Sequence, residues 1–482
     1  MQAITEKISS LYSSCFFTQP SKISKLPQSG GDRQYFRIYG AESSVIATVN
    51  ANLQENETFF YFSAHFKSLN FNVPEIYAIS EDKTIYLQSD FGDITLLNVI
   101  EQKGKTPEVY ELLKQSLKKL AHLQINGGLN LDYNQCITSK EFGTQAIFSD
   151  LLYFKYYFLD TLKIPYDKEK LIRDFDALSH SLSITDYSCF MYRDFQSRNI
   201  MVQNENVFFI DYQGGMKGAL QYDVASFLWQ AKAELSDEWK TSLVAYYMDC
   251  VDQINGKPLD RIHFINQYNG YVLIRLLQVL GAYGFRGIFE RKAHFLVSIP
   301  LALKNLQNFL NQVKLGVQMP EFERLLTLIG SEDMIARFDN IKATALTPLL
   351  VSINSFSYIK TGYPKDTTSN GGGYVFDCRG ILNPGRLDEY KSLTGRDKPV
   401  IDFLEQQTEM PNFINNVYNL VDITLADYIK RGFTSLTINF GCTGGQHRSV
   451  YAADALARHL RNKFNVKIDL HHIEQNISEK KG

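Results

Sequence analysis

The sequence predicts an α+β, two-lobed domain over residues 1–312, a helical connector over 313–346 and a smaller α/β domain over 347–482. Three observations predict it. Short strand-like runs bounded by turns occupy residues 20–90, long helical periodicities take over up to residue 312, and from about residue 349 strands alternate with loops and helices. A strand-rich part followed by a helix-rich part reads as two lobes of one domain, and strand–loop–helix texture reads as an open α/β sheet.

Each element has its own signal. Gln34–Tyr39 and Ser43–Asn50 flank Gly40-Ala41-Glu42 as a hairpin, and Thr84–Gln88 is a further strand running into Ser89-Asp90-Phe91-Gly92. Thr106 caps a helix with Pro107 at its first position, followed by Val109, Leu112, Leu113, Leu117, Leu120 and Leu123 at helical spacing. Further helical patterns cover 145–180 and 235–312. The connector is punctuated by Gly316, Pro320 and Gly330 around an amphipathic piece, Phe322–Ile329. Beyond it, Leu349–Ile353 runs into Ser355-Phe356-Ser357, Gly373–Phe376 into Asp377, and Leu436, Ile438 and Phe440 alternate into Gly441 before a helix from Val450.

Composition narrows the function classes. The 482 residues are 44% hydrophobic and 21% charged, which is globular rather than disordered. With 50 Lys+Arg against 52 Asp+Glu, the net charge of −2 excludes a strongly basic nucleic-acid protein. No stretch approaches 18 consecutive apolar residues, which argues against a membrane span. Glu6 and Lys7 stand where a signal peptide needs an apolar core, so the expected compartment is the cytoplasm. Cys15, Cys136, Cys189, Cys250, Cys378 and Cys442 form no CxxC pair, which argues against structural zinc and a disulfide framework.

The first chemical constellation is Tyr192-Arg193-Asp194-Phe195-Gln196-Ser197-Arg198-Asn199. Two apolar runs, Ile200–Val202 and Val207–Ile210, follow it around the polar turn Gln203–Asn206, and Asp211 ends the second. A hairpin there folds Asp211 back beside Asp194 and Asn199. Phosphoryl transfer needs a group that orients and deprotonates a hydroxyl, together with oxygen ligands for magnesium. Asp194 fits the base, and Asn199 and Asp211 fit the metal ligands. Gly30-Gly31 before the first hairpin strand is a candidate phosphate-covering loop, whose bland alternative is a plain turn. Asp223 reads as a brace for the catalytic loop and His122 as a core histidine.

This loop and hairpin, with Gly218–Ser226, resemble the aminoglycoside phosphotransferase family, which has a protein-kinase-like fold. Asp32–Arg37, Asn72-Val73-Pro74, Leu87–Gly92, Arg193-Asp194-Phe195 and Leu280-Gly281-Ala282 are similar to the anomeric N-acetylmuramate/N-acetylglucosamine kinases of bacterial cell-wall recycling. Over about residues 20–312 the resemblance implies ATP-dependent phosphorylation of a sugar or amino-sugar hydroxyl. Two positions depart from the broader pattern. Ser43–Asn50 lacks the strand lysine that grips the α/β phosphates, which leaves Arg33 or Arg37 to supply a cation, and the loop's usual His is Tyr192.

The second constellation is Gly441-Cys442-Thr443-Gly444-Gly445-Gln446-His447-Arg448-Ser449, between a strand and a helix. Such a loop presents backbone N–H groups and a helix N-terminus to an anion, and Arg448 adds a bidentate phosphate donor. Lys360, Arg379 and Asn383 lie in loops that can meet it, and Asp377 ends a strand at the same edge. Cys442 and Arg448 also have the C-x5-R spacing of cysteine-dependent phosphatases. Catalysis, anion binding without chemistry and a plain turn compete, and binding is preferred.

That preference rests on a second resemblance. Ser355-Phe356-Ser357, Tyr374–Arg379, Asn383-Pro384, Leu393-Thr394-Gly395, Pro399-Val400 and Gly441–Val450 resemble the C-terminal domain of the RNase adapter RapZ over about residues 349–465. The resemblance implies a sensor of a phosphorylated amino sugar, with Cys442, Thr443, Gly444, Gly445, His447 and Arg448 as the ligand loop and Lys360, Asp377, Arg379 and Asn383 as partners. It also implies RNA binding and oligomerisation. No G-x4-G-K-[ST] stands in front of this domain, however, and the tail Asp469–Gly482 is only mildly basic and reads as a fraying terminus, which argues against RNA. The expected partners are thus a sugar substrate and a phosphorylated sugar, without a membrane. The rival function is a nucleotide-binding regulatory adaptor with little kinase activity.

Overall fold

The computed structural model describes residues 2–26, 33–41, 43–137, 139–184, 188–290, 293–296, 298–338, 342–366, 368 and 372–481. They form two compact units, Met1–Phe285 with Leu301–Ile335, and Arg286–Pro300 with Ala336–Gly482.

The first unit begins with a five-stranded antiparallel sheet in the order β1-β2-β3-β5-β4, where β1 is Lys22–Lys25, β2 Gln34–Tyr39, β3 Ser44–Val49, β4 Ile76–Ile79 and β5 Ile85–Ser89. The hairpin read from the sequence pairs Gln34 with Val49 and Tyr39 with Ser44. Alternation sends Phe36, Ile38, Ala47 and Leu87 into a core shared with Ile8 and Tyr12 of the helix Gln2–Phe16. The helix Leu53–Ser68 follows β3, its Asn52 cap accepting the Glu55 N–H at 3.2 Å.

The rest of this unit is mainly helical. Thr106 caps Pro107–Ile125 as its sequence predicts. Two small ribbons carry the chemistry: β6 (Cys189–Met191) pairs with β9 (Met216–Gly218), and β7 (Ile200–Gln203) pairs with β8 (Asn206–Phe209). The turn between β7 and β8 is Asn204-Glu205, both left-handed at φ 49° and 60°, so it is a two-residue turn whose twist suits a tight hairpin.

Two sequence expectations change here. The segment 313–335, read as a connector, belongs to the first unit. Its helix Pro320–Ile329 buries Phe322, Leu325, Leu326 and Ile329, and the Phe322 N–H donates to Asp174 at 2.8 Å. The helical stretch Arg261–Phe289 is long and apolar enough to cross a membrane by length and composition, with a mean hydropathy of 1.4 over its best window. Interspersed polar residues hid it from a search for unbroken apolar runs. In the fold 56% of that window is buried, and the helix packs on Thr144–Phe154 and Leu220–Leu228, which is how a core helix behaves.

The second unit is built on a sheet ordered β11-β12-β10-β13-β14, with β10 Leu350–Ser357, β11 Gly373–Asp377, β12 Ser435–Cys442, β13 Lys467–His472 and β14 Ile477–Lys481. The first four are parallel, and β14 runs antiparallel to β13. The tail is therefore an edge strand, not a frayed end. Val351, Ile353, Ile438 and Phe440 form the core with the helices Lys398–Gln407, Met410–Arg431 and Arg448–Phe464. Parallel pairing brings Ser357, Asp377 and Cys442 to one edge, where the ligand loops of such sheets collect.

Candidate functional site

In the first unit, β6 delivers the loop that holds Asp194, and the β7–β8 hairpin returns Asp211 to it. Asn199 joins the two: its Nδ2 donates to the Asp194 carbonyl at 2.9 Å and to Asp211 Oδ2 at 3.4 Å. Arg193 and Asp211 both hold left-handed backbone, φ 78° and 69°, a cost non-glycine residues bear only where surrounding contacts enforce it.

Those contacts are explicit. Asp223, fully buried, accepts the N–H groups of Tyr192 at 2.7 Å and Arg193 at 3.0 Å and the Gln124 amide at 2.8 Å. Burial lifts its carboxyl to about 7 against the pull of these donors. The Tyr192 hydroxyl donates to the Ile210 carbonyl at 2.5 Å, so Tyr ties the loop to the backbone just before Asp211. Arg193 turns away from the cleft to a two-point bond with Asp150 at 2.7 and 2.9 Å.

The structure separates the two candidate cations. Arg33 lies 2.8 Å from Asp211 and 3.2 Å from Glu55 on the helix Leu53–Ser68. Burial lowers its guanidinium's affinity for the proton, but Asp211, Tyr35 and Glu55 raise it by more. Arg37 is spent elsewhere, donating to Asp90, Asp93 and the Gly92 carbonyl at 2.6–3.1 Å. It fastens β2 to the segment after β5, so of the two arginines Arg33 is the one placed beside Asp211. Gly30 and Gly31 lie outside the described residues.

Arg275, 81 positions from Asp194, is the residue the sequence reading missed. It is 4% exposed on the helix Arg261–Tyr283. Its Nε donates to Ser226 at 2.9 Å, its Nη1 to Gln278 at 2.7 Å, and its Nη2 faces Asp194 Oδ1 at 3.4 Å. No local motif marks it; only its position in a hydrophobic helix, where an arginine needs a partner, flags it.

The donor set fits magnesium. Asp211 Oδ2 receives only the long Asn199 Nδ2 bond among the described residues, and a carboxylate with an asparagine amide supplies the hard oxygen donors magnesium takes. Among the described residues no group of three or more His, Cys, Asp or Glu side chains could hold a metal ion, so phosphate oxygens and water would have to complete the shell.

In the second unit the loop after β12 has the expected strand–loop–helix setting. Gly445 is left-handed at φ 66°, and a Cβ there would stand 2.3 Å from the Glu474 side chain. Ser357 Oγ donates to the Thr443 carbonyl at 2.6 Å, and the space beside Gly444 is open. Lys360 and Arg379 are the exposed cations. Lys360 is 4.0 Å from Glu474, while Arg379 pairs with Asp377 at 2.7 Å and lies 4.0 Å over the Tyr358 ring. Asn383 caps the turn at Gly385.

Arg448 begins the helix that follows the loop. It is buried, and its Nη1 donates to the carbonyls of Arg379 at 3.1 Å and Ile381 at 2.8 Å. Nη1 is spent on these carbonyls, while Nη2 lies 3.4 Å from the Thr443 hydroxyl of the loop. His447 is likewise turned inward, its Nε2 2.9 Å from the Tyr390 carbonyl. Cys442 is 2% exposed, with Sγ accepting the Gly445 N–H at 3.2 Å and lying 3.2 Å from Ser449 Oγ. A thiol so enclosed is poorly exposed for nucleophilic attack.

Residues 22–254 match the model of the phosphotransferase enzyme family, and residues 349–476 match that of the RapZ C-terminal domain. The first unit thus contains the match to the phosphotransferase enzyme family and the second the match to the RapZ C-terminal domain. It is 40% identical over 147 residues to a nucleotide-binding protein of Endomicrobium trichonymphae, covering 30% of this chain and 49% of that one. It is 33% identical over 176 residues to a nucleotide-binding protein of Glaesserella parasuis, covering 36% and 59%. The chain therefore spans about half the length of these relatives. Similar solved structures include choline kinases from Cryptosporidium parvum (13% identity, 67% of this chain and 99% of that one, TM-score 0.47) and Streptococcus pneumoniae (14%, 64% and 98%, TM-score 0.43).

Proposed function

We propose that the first unit transfers the γ-phosphoryl group of ATP to a hydroxyl of a sugar or amino sugar, in the manner of cell-wall sugar recycling, in the cytoplasm. The carrying observation is the Asn199 amide that couples the Asp194 loop to the Asp211 carboxylate, with Arg33 on Asp211. Asp194, 45% exposed at its side chain, orients the acceptor hydroxyl and takes its proton as the oxygen bonds to phosphorus. The bond from phosphorus to the β–γ bridging oxygen breaks and ADP leaves. Asn199 and Asp211 would hold Mg2+, which neutralises charge on the phosphate oxygens when bound. Arg33, beside Asp211 and Glu55, takes the place of the absent strand lysine and supports activity over the idle-adaptor reading.

The second unit, on this reading, binds a phosphorylated sugar at Thr443, Gly444 and Gly445, with Lys360 and Arg379 supplying exposed charge and Arg448 and His447 holding the loop. ADP release measured with a panel of amino sugars tests the kinase assignment. Wild type should show sugar-stimulated turnover, and Asp194→Ala should lose about 10²–10⁴-fold in kcat. Absence of stimulation by any sugar overturns it in favour of the adaptor.

A further inference from the structure

The helix Arg448–Phe464 has a second polar face, distinct from the loop at its N-terminus. Tyr451, Asp454, Arg458 and Arg461, at steps of three and four, line an open pocket of about 250 Å³ together with Arg396 and Ile401. Its charges are unevenly spent. Arg396 lies 3.1 Å from Asp454 and 2.7 Å from Glu479 of β14, and the Tyr451 hydroxyl donates to Glu405 at 2.8 Å. Arg458 and Arg461 make no side-chain hydrogen bond or ion pair among the described residues, so two arginines of the lining have no ion-pair partner there.

The floor is also incomplete. Asp454 is nine-tenths buried, and its Oδ2 has no aligned hydrogen bond although Arg396 Nε and His472 Nε2 lie 3.1 and 3.3 Å away. His472 is held from behind by Ser355, 2.9 Å from its Nδ1. The order Ser355–His472–Asp454 has the composition of a catalytic triad, but Ser355 is fully buried and meets no substrate. What the cavity offers is a carboxylate held beside Arg396 and two further arginines in its lining.

We infer that this cavity is an anion site for a small phosphomonoester bearing a hydroxyl or ammonium donor. Arg458 and Arg461 would take its phosphate oxygens, and the Asp454 carboxylate that lines the cavity its donor. A pocket of this volume holds one small molecule, whereas a nucleic-acid backbone needs a groove that several phosphates can follow. The inference is independent of the loop after β12 and of any kinase activity.

Isothermal titration of the whole protein with inorganic phosphate and with glycerol 3-phosphate tests it. The Arg458→Ala/Arg461→Ala double variant should lose one binding equivalent or weaken it at least about tenfold. Lys360→Ala/Arg379→Ala should keep that equivalent, which separates it from the loop. Asp454→Asn should weaken glycerol 3-phosphate more than phosphate. Three outcomes overturn the inference: no binding by wild type, wild-type titrations for the double variant, or binding of a short oligouridylate that the double variant abolishes while glycerol 3-phosphate does not bind.

Discussion

At the scale of single residues, the kinase-like site is a set of short tethers on a few acids. Arg275 is the least expected of them. A buried guanidinium 3.4 Å from Asp194 is fixed by Ser226 and Gln278, and on the proposed reading it would position the base. Arg275→Gln should lower kcat about tenfold or more while KM for ATP stays within about twofold, and Arg275→Lys should recover part of the loss. A merely structural role would move neither parameter selectively. Asp223 carries a pH signature. Its folded carboxyl sits near 7 because of burial, above the unfolded value near 4, so the folded state binds the proton more tightly. Its contribution to stability is complete below about pH 4 and is lost as pH rises through about 7. Urea unfolding of wild type should show this decline between those limits, and Asp223→Asn should lack it. Neither arginine contact was legible in the sequence. Arg33 and Arg37 look interchangeable there, and only the fold turns one to Asp211 and the other to Asp90.

At the scale of elements, contiguous chemistry was legible and assembled chemistry was not. The Asp194 loop, the β7–β8 hairpin and Asp211 lie within 18 residues, so turn rules alone bring them together. The loop after β12 was visible for the same reason. The direction in which Arg448 points was not, because it depends on the carbonyls of Arg379 and Ile381, which reach it only through the parallel pairing of β11 with β12. The loop's shape is set by Gly445. Gly445→Ala would combine left-handed backbone with a Cβ 2.3 Å from Glu474. The expected cost is about 1–2 kcal/mol from the backbone alone, more once Glu474 is displaced. Titration with inorganic phosphate and thermal unfolding should show weaker loop binding and a lower Tm for the second unit, with ADP release by the first unit unchanged.

At the scale of the molecule, the division of the chain is the feature that sequence texture rendered least well. Punctuation by Gly316, Pro320 and Gly330 looks like a linker, because turn residues mark breaks between elements without saying which core claims the helices between them. The fold gives 313–335 to the first unit and 286–300 to the second, so the chain leaves and re-enters its first core. Phe322 packs edge-on against Phe175, with ring centres 4.9 Å apart, and its N–H ends on Asp174. A chain cut at residue 312 would strip four buried apolar side chains from the helix Lys168–Ser183 and its neighbours, at about 1.5–3 kcal/mol for each one fully buried. Truncation to 1–338 retains them. Compared side by side, the 1–338 chain should unfold cooperatively in urea and the 1–312 chain should be destabilised by several kcal/mol or fail to fold. Equal midpoints for the two would mean that 313–335 is a linker after all, resting on the first unit without supporting it.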